Sequence, residues 1–272
     1  MKPLIILLSV AGAWLVGNAV VCGQQLVMPR VVAHRGLMQH APENTLASFR
    51  ACLELRCGFE FDVAKTSDGH LVVIHDNTLE RTTNGMGQVA EMPLTQLRSL
   101  DAGQWFDRKF MGTRVPTVNE VLQLVAEYHP ADVLIAVDLK AENVEQQVVH
   151  LAEQHQVLNK LLFIGRAITE SRVRENIRAA SALAHVAVVA HNAAELTQVL
   201  DSRDADWIYV RYLPTRAEID QVHRSNKRAF IAGSTVSGLV PNNWRQAMAH
   251  TIDGILTDYP LELSSLIRQE VK

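Results

Sequence analysis

Residues 59–76 read FEFDVAKTSDGHLVVIHD. Two runs rich in β-branched and aromatic residues, 59–65 and 71–75, are separated by a short connection, Thr66-Ser67-Asp68-Gly69 followed by His70. So short a connection cannot hold a crossover helix, so the two runs are predicted to pair as an antiparallel hairpin. Outward from this hairpin, further strand candidates lie at 31–35, 132–140, 161–166, 185–190, 206–211, 228–233 and 254–257. Amphipathic helical patterns at 44–57, 117–128, 143–155, 169–180, 192–200, 215–225 and 241–250 separate most of them. In the first, Leu46, Phe49 and Leu53 share a face, with Asn44 as the expected N-cap and Gly58 as the expected stop. Such alternation implies an α/β fold with a parallel sheet covered by helices. Its repetition through about eight units favours a closed, somewhat irregular (β/α)8 barrel over an open sheet. The strand candidates exceed a regular barrel by one, and the hairpin absorbs the surplus. Residues 77–115, rich in Gly, Thr and polar side chains, lack clear periodicity. They are too long for an ordinary loop and are read as an insertion after the third strand, over one end of the barrel.

Composition narrows the function. The 272 residues are 48% hydrophobic and 20% charged, with a net charge of −3. No basic excess supports general nucleic-acid binding, so an anionic substrate must be met by a local cluster or a metal. Lys2 followed by the apolar stretch Leu4 to Cys22 reads as a signal peptide with cleavage near Gly23, or as an uncleaved membrane anchor. Residues 1–25 therefore stand outside the fold, and 29–272 form one barrel domain. The expected location is exported, periplasmic or extracellular. Membrane contact is expected only if the segment is retained or lipidated at Cys22. The other two cysteines, Cys52 and Cys57, are read as small buried hydrophobes rather than a disulfide. No P-loop, dinucleotide fingerprint, HExxH or GxSxG motif occurs, which removes support for nucleotide-cofactor, metalloprotease and serine-hydrolase readings.

Polar residues at strand exits carry the chemistry, because barrels place functional side chains there. Val31-Val32-Ala33 runs into His34-Arg35, a proton-transfer group beside one that can hold phosphate oxygens bidentately. Glu60 and Asp62 alternate along one strand and so point to one side. Two such carboxylates repel unless a cation sits between them, and a hard divalent ion supplies that compensation. Val72-Val73-Ile74 ends in His75-Asp76, repeating the first pattern and offering a second acid–base group. Asp138 and Lys140 share a face by the same period, Asp138 as a further oxygen ligand and Lys140 as a phosphate-neutralising cation. Thr257-Asp258, at the end of the last strand, is read as structural.

Together these residues make the chain resemble the glycerophosphodiester phosphodiesterase family. The likeness is carried by VVAHRGLMQHAPENTLASF, FEFDVAKTSDGHLVVIHDNTLERTTNGMG, VPTVNEVL, AVDLK and DGILTDYP, in the family's order through most of residues 31–260. It implies a TIM-type barrel that hydrolyses glycerophosphodiesters to sn-glycerol 3-phosphate and an alcohol. It implies His34 and His75 as the acid–base pair, Glu60 and Asp62 as ligands of Mg²⁺ or Ca²⁺, and Arg35 and Lys140 as phosphate-holding groups. Glu43 and Asn44 match residues lining the same substrate site in a supporting part, and 77–115 corresponds to an insertion on the glycerol side. Two departures stand out. Asp138 replaces the Glu usual in the family's E-x-K motif. Asp there is reminiscent of sphingomyelinase D-like enzymes, which raises the alternative of a phospholipase D-like activity on lysophospholipids or sphingolipids. Ala232-Gly233-Ser234-Thr235-Val236 also lacks the Trp of the family's W-T-V segment, which implies a roomier wall. A non-catalytic binding barrel is the reading from another class.

Overall fold

The computed structural model describes residues 28–129 and 133–270. The leader reading, at residues 1–25, lies outside the described residues. The strands are β1 (Arg30–Ala33), β2 (Gly58–Lys65), β3 (Leu71–Val73), β4 (Ile135–Leu139), β5 (Leu161–Gly165), β6 (His185–Ala190), β7 (Trp207–Val210), β8 (Arg228–Ile231) and β9 (Gly254–Thr257). Their order is β1-β9-β8-β7-β6-β5-β4-β2-β3, and a further β1–β2 pairing closes the ring. All pairs are parallel except β2–β3. The barrel therefore has eight strands, and the hairpin partner β3 stands outside it, as the short Thr66–Gly69 connection predicts.

Period-two alternation sorts side chains between two cores. Inside the barrel, Val32, Ala136, Leu162, Trp207, Tyr209, Phe230 and Leu256 form one buried cluster, with Trp207 edge-on to Phe230 at 6.5 Å. Truncating such a ring to Ala costs about 3–5 kcal/mol. On β2, Phe59, Phe61 and Val63 face outward instead. Phe59 stacks at 4.3 Å on Phe49 of the helix Leu46–Glu54. That outward packing obliges Glu60 and Asp62 to face the interior.

The first helix differs from expectation at both ends. Its N-cap is Thr45, whose side chain accepts the Ser48 N–H, while Asn44 takes a left-handed φ of 56°. Asn44 gives up capping because its amide is engaged by β2. Gly58 does not stop the helix, which ends at Glu54, ahead of left-handed Arg56 (φ 57°). Gly58 instead opens β2, where a Cβ would lie 2.0 Å from the Leu134 carbonyl oxygen. The pattern at 169–180 resolves into the short helix Arg166–Thr169 followed by Ser171–Ala180.

The segment 77–115 has its own small core of Leu79, Val89, Leu97, Ala102 and Val115, packed on Val72 and Ile74. It holds only a short helix, Leu94–Leu97, and two 3-10 turns, Val89–Glu91 and Arg108–Phe110. Cys52 and Cys57 are free and buried, and no helix among the described residues is long and apolar enough to cross a membrane.

Candidate active site

Sheet register brings the central carboxylates together. Asp62 pairs with Asp138 and Glu60 with Ala136 across β2 and β4, so the three acidic side chains stand side by side on one interior face. Oxygens of Glu60, Asp62 and Asp138 lie within 4.8 Å of one another, and Glu60 and Asp62 are 1% exposed. Each carboxylate has one oxygen tied to the protein. Glu60 Oε2 accepts the Arg35 backbone N–H (2.9 Å), Asp62 Oδ2 accepts Asn44 Nδ2 (2.7 Å), and Asp138 Oδ2 accepts Lys140 Nζ (2.8 Å). Oδ1 of Asp62 and Oδ1 of Asp138 are buried without a hydrogen-bond partner. Lys140 Nζ comes within 3.2 Å of Asp62 Oδ1, out of hydrogen-bond alignment.

Burial, reinforced by the charges of Asp62 and Asp138, pushes the Glu60 carboxyl well above its usual range, against the Arg35 N–H and Lys140. Burial also raises Asp138, with Lys140 opposing and Asp62 adding to the rise. Burial works against the Lys140 charge, yet Asp138 and Asp62 hold its ammonium above the ordinary lysine value. Lys140, with Arg35 3.6 Å from Asp62, thus only partly offsets the acidic cluster. Unpaired buried carboxylate oxygens converging from two strands suit a hard divalent cation, which takes oxygen ligands. The residues present fit such an ion.

Two histidines flank the cluster, each fixed through Nδ1. His34, just past β1, meets Asp258 Oδ1 at 2.7 Å; His75, two residues past β3, meets Asp76 Oδ1 at 2.7 Å. Both are about one-third exposed and line a cavity of about 280 Å³ with Glu60, Asp138, Lys140 and Asp258. A carboxylate on Nδ1 fixes ring orientation and leaves Nε2 to exchange protons.

Behind these groups runs a chain of ion pairs. Arg81, from the insertion, binds Asp76 through Nε (2.6 Å) and both oxygens of Glu43 (2.7 and 2.9 Å). Arg35 Nη1 adds a 3.1 Å bond to Glu43, and its Nε lies 3.6 Å from Asp62. Hydrogen bonds from Arg81 hold Asp76 well below the usual carboxylate range. Burial opposes ionisation of Glu43, but Arg81 and Arg35 together hold it low. Glu43 and Asn44 are buried with their side chains bonded to Arg35, Arg81 and Asp62, so they stand behind the cavity wall rather than on it.

The sequence-predicted residues His34, Arg35, Glu60, Asp62, His75, Asp138 and Lys140 all converge at one end of the barrel. Three partners escaped that reading: Asp258, Asp76 as the fixer of His75, and Arg81. Asp258 follows the last strand with the same exit signature as His34 and could have been paired with it, since β1 and β9 must adjoin if the barrel closes. Gly165 also escaped notice. Its φ is +71°, and a Cβ there would fall 2.1 Å from Asp138 Oδ1.

A sequence model of the Glycerophosphoryl diester phosphodiesterase family matches residues 34–262. A glycerophosphodiester phosphodiesterase of Caldanaerobacter subterraneus is 47% identical over 112 residues, spanning 41% of this chain and 45% of that one. YhdW of Bacillus subtilis, provisionally named for the same activity, is 33% identical over 241 residues, 85% of this chain and 94% of its own. Among solved structures, the glycerophosphodiester phosphodiesterase from Agrobacterium tumefaciens superposes with a TM-score of 0.76 at 25% identity, covering 88% of this chain and 100% of that one.

Proposed function

The chain belongs to the glycerophosphoryl diester phosphodiesterase family, and from that premise we propose that it hydrolyses glycerophosphodiesters to sn-glycerol 3-phosphate and an alcohol with His34 and His75 as the acid–base pair. The observation that carries this reading is the pair of carboxylate-anchored histidines on either side of the acidic cluster, in one cavity. Glu60, Asp62 and Asp138 would hold a divalent ion, Mg²⁺ or Ca²⁺. When bound, such an ion supplies charge neutralisation for a phosphodiester and its transition state.

The chain's own groups account for the rest. Lys140, which lines the cavity, holds a phosphate oxygen and offsets the charge that grows there. Arg35 helps to hold the phosphate while its backbone N–H keeps Glu60 in place. One histidine accepts a proton from the attacking oxygen through Nε2, and the other returns a proton to the departing alkoxide. Asp258 and Asp76 orient the rings and stabilise the imidazolium as it forms. Glu43, Asn44 and Arg81 are positioning residues that set Arg35, Asp62 and Asp76 without touching substrate.

The test is release of sn-glycerol 3-phosphate by purified protein from a panel of glycerophosphodiesters, with lysophosphatidylcholine alongside. Turnover of the water-soluble diesters, falling at least about 10²-fold in His34→Ala and in His75→Ala, is expected. Release of choline from lysophosphatidylcholine alone would overturn the glycerophosphodiester reading in favour of a phospholipase D-like one. Near-normal turnover in either histidine variant would overturn the mechanism.

A further inference from the structure

A second cavity of about 350 Å³ adjoins the first and shares Asp138, Lys140, Tyr209 and Arg211 with it. It continues over Gly165, Arg166, Ile168 and Thr169 at the exits of β4, β5 and β7. A phosphodiester has two arms. One held between the histidines and Lys140 can extend an arm into this space.

Arg211 dominates the chemistry there. It follows β7 directly, with its backbone N–H bonded to the Ala190 carbonyl at 3.0 Å. Its side chain crosses towards β8, where a Cβ on Gly233 (φ +95°) would meet Arg211 Cδ at 3.7 Å and Nη1 at 4.0 Å. Those are ordinary van der Waals distances, so they place the Arg211 side chain against β8, while the positive φ accounts for the glycine. Arg211 makes no ion pair with a carboxylate among the described residues; its guanidinium carbon lies over the Tyr209 ring, 5.3 Å from the centroid. Arg166, by contrast, is bound to Glu170 (2.8 Å) and lies 3.4 Å from Glu142, and neither carboxylate lines the cavity. The one carboxylate that does line it, Asp138, is engaged by Lys140.

These features select against a quaternary ammonium and for an anion. Recognition of a choline-type cation uses open aromatic faces or a free carboxylate. Tyr209 is the only phenol, phenyl or indole ring lining either cavity among the described residues. It is 5% exposed and already carries a cation on its face. Beside its contact with Tyr209 the Arg211 guanidinium meets no carboxylate among the described residues, and a guanidinium so placed suits a phosphate or carboxylate bidentately.

We propose that the Arg211 cavity is a subsite for the departing alcohol and prefers alcohols that carry an anionic group, such as phosphorylated polyols, over choline. This rests on the hydrolytic reading above and adds the head-group class to it. Because every substrate keeps the same glycerol arm, varying the other arm isolates this subsite.

The experiment compares kcat/KM for glycerophosphoinositol phosphate, glycerophosphoinositol and glycerophosphocholine in the wild type and in Arg211→Gln. In parallel, calorimetry measures binding of inositol 4-phosphate to both proteins. The expected result is a wild-type preference in that order, with the anion-to-choline ratio falling about tenfold in Arg211→Gln. Inositol 4-phosphate binding should weaken by a similar factor. A wild-type preference for glycerophosphocholine, or a ratio and affinity unchanged by the substitution, would overturn the subsite. No turnover of any diester, with Arg211-dependent binding retained, would overturn the hydrolytic reading while upholding the subsite.

Discussion

Asp258 holds Nδ1 of His34 at 2.7 Å although 224 residues separate them in the chain. The contact exists because β9 pairs in register with β1, placing Thr257 beside Ala33 and the next residue of each strand at a common exit. A carboxylate in that place fixes the orientation of the imidazole and leaves Nε2 facing the cavity side of the ring.

Asp258→Asn is therefore expected to lower kcat by at least about tenfold and to change the pH–rate profile. Simple loss of packing would lower activity without altering the profile. A variant with wild-type kcat and profile would remove Asp258 from the proton-transfer machinery.

The acidic cluster predicts opposite effects with and without cation. Neutralising a carboxylate that burial and two like charges disfavour should stabilise the cation-free protein, by about 1 kcal/mol or more for Glu60→Gln. Adding Mg²⁺ or Ca²⁺ should raise the wild-type unfolding free energy by about 2.7 kcal/mol at a hundredfold excess over Kd. Glu60→Gln and Asp138→Asn should blunt that response, and EDTA should abolish it. Thermal melts with and without cation read both signs, and a wild type indifferent to either ion would refute the cation site.

Gly165→Ala should damage the site without removing any functional group. Its Cβ would fall 2.1 Å from Asp138 Oδ1 and 2.5 Å from the Leu139 nitrogen, and φ is +71°. Strain of about 1–3 kcal/mol and a displaced Asp138 should result. A cation titration of the folded variant should show weakened affinity; unchanged affinity would mean that Asp138 does not hold the ion.

At the opposite end of the strands, Asp206 accepts bonds from the Val186 N–H (2.9 Å) and Arg178 (2.7 Å), beside His185. Burial opposes its ionisation, but His185, the Val186 N–H and Arg178 hold its pKa below the usual carboxylate value. A lowered folded-state pKa stabilises above the unfolded value and loses that contribution as pH falls through the folded one. Asp206→Asn should cost about 1–3 kcal/mol at neutral pH and less at about pH 3, by urea unfolding at both pH values. A cost that grows towards acid would contradict the sign.

The barrel and the inner site were legible because both depend on short-range pattern. The short link after Lys65, Thr66-Ser67-Asp68-Gly69 and His70, excluded a crossover helix, and period two placed Glu60 with Asp62 and Asp138 with Lys140. What escaped depends on register and backbone strain between distant segments. Asn44 looked like a helix cap because its type suits one; its left-handed φ and its bonds to Asp62 arise from tertiary context. Arg81 sat in an aperiodic stretch where no spacing rule points, and its ties to Asp76 and Glu43 depend on how the insertion folds back. Asp258 looked structural because its own strand does not show its partner; only closure of the ring, which sets β9 beside β1, does.

Closure of the ring through β1 and β9 also sets when His34 can first meet its partner. During synthesis His34 is among the earliest residues made, and Asp258 and the strand beneath it are among the last. The hairpin, the three carboxylates of the acidic cluster and the insertion all lie within residues 58–139, whereas the partner of the first histidine comes more than a hundred residues later. A chain without its last strand would therefore leave His34 without the carboxylate that fixes its ring, whatever else of the site it had assembled.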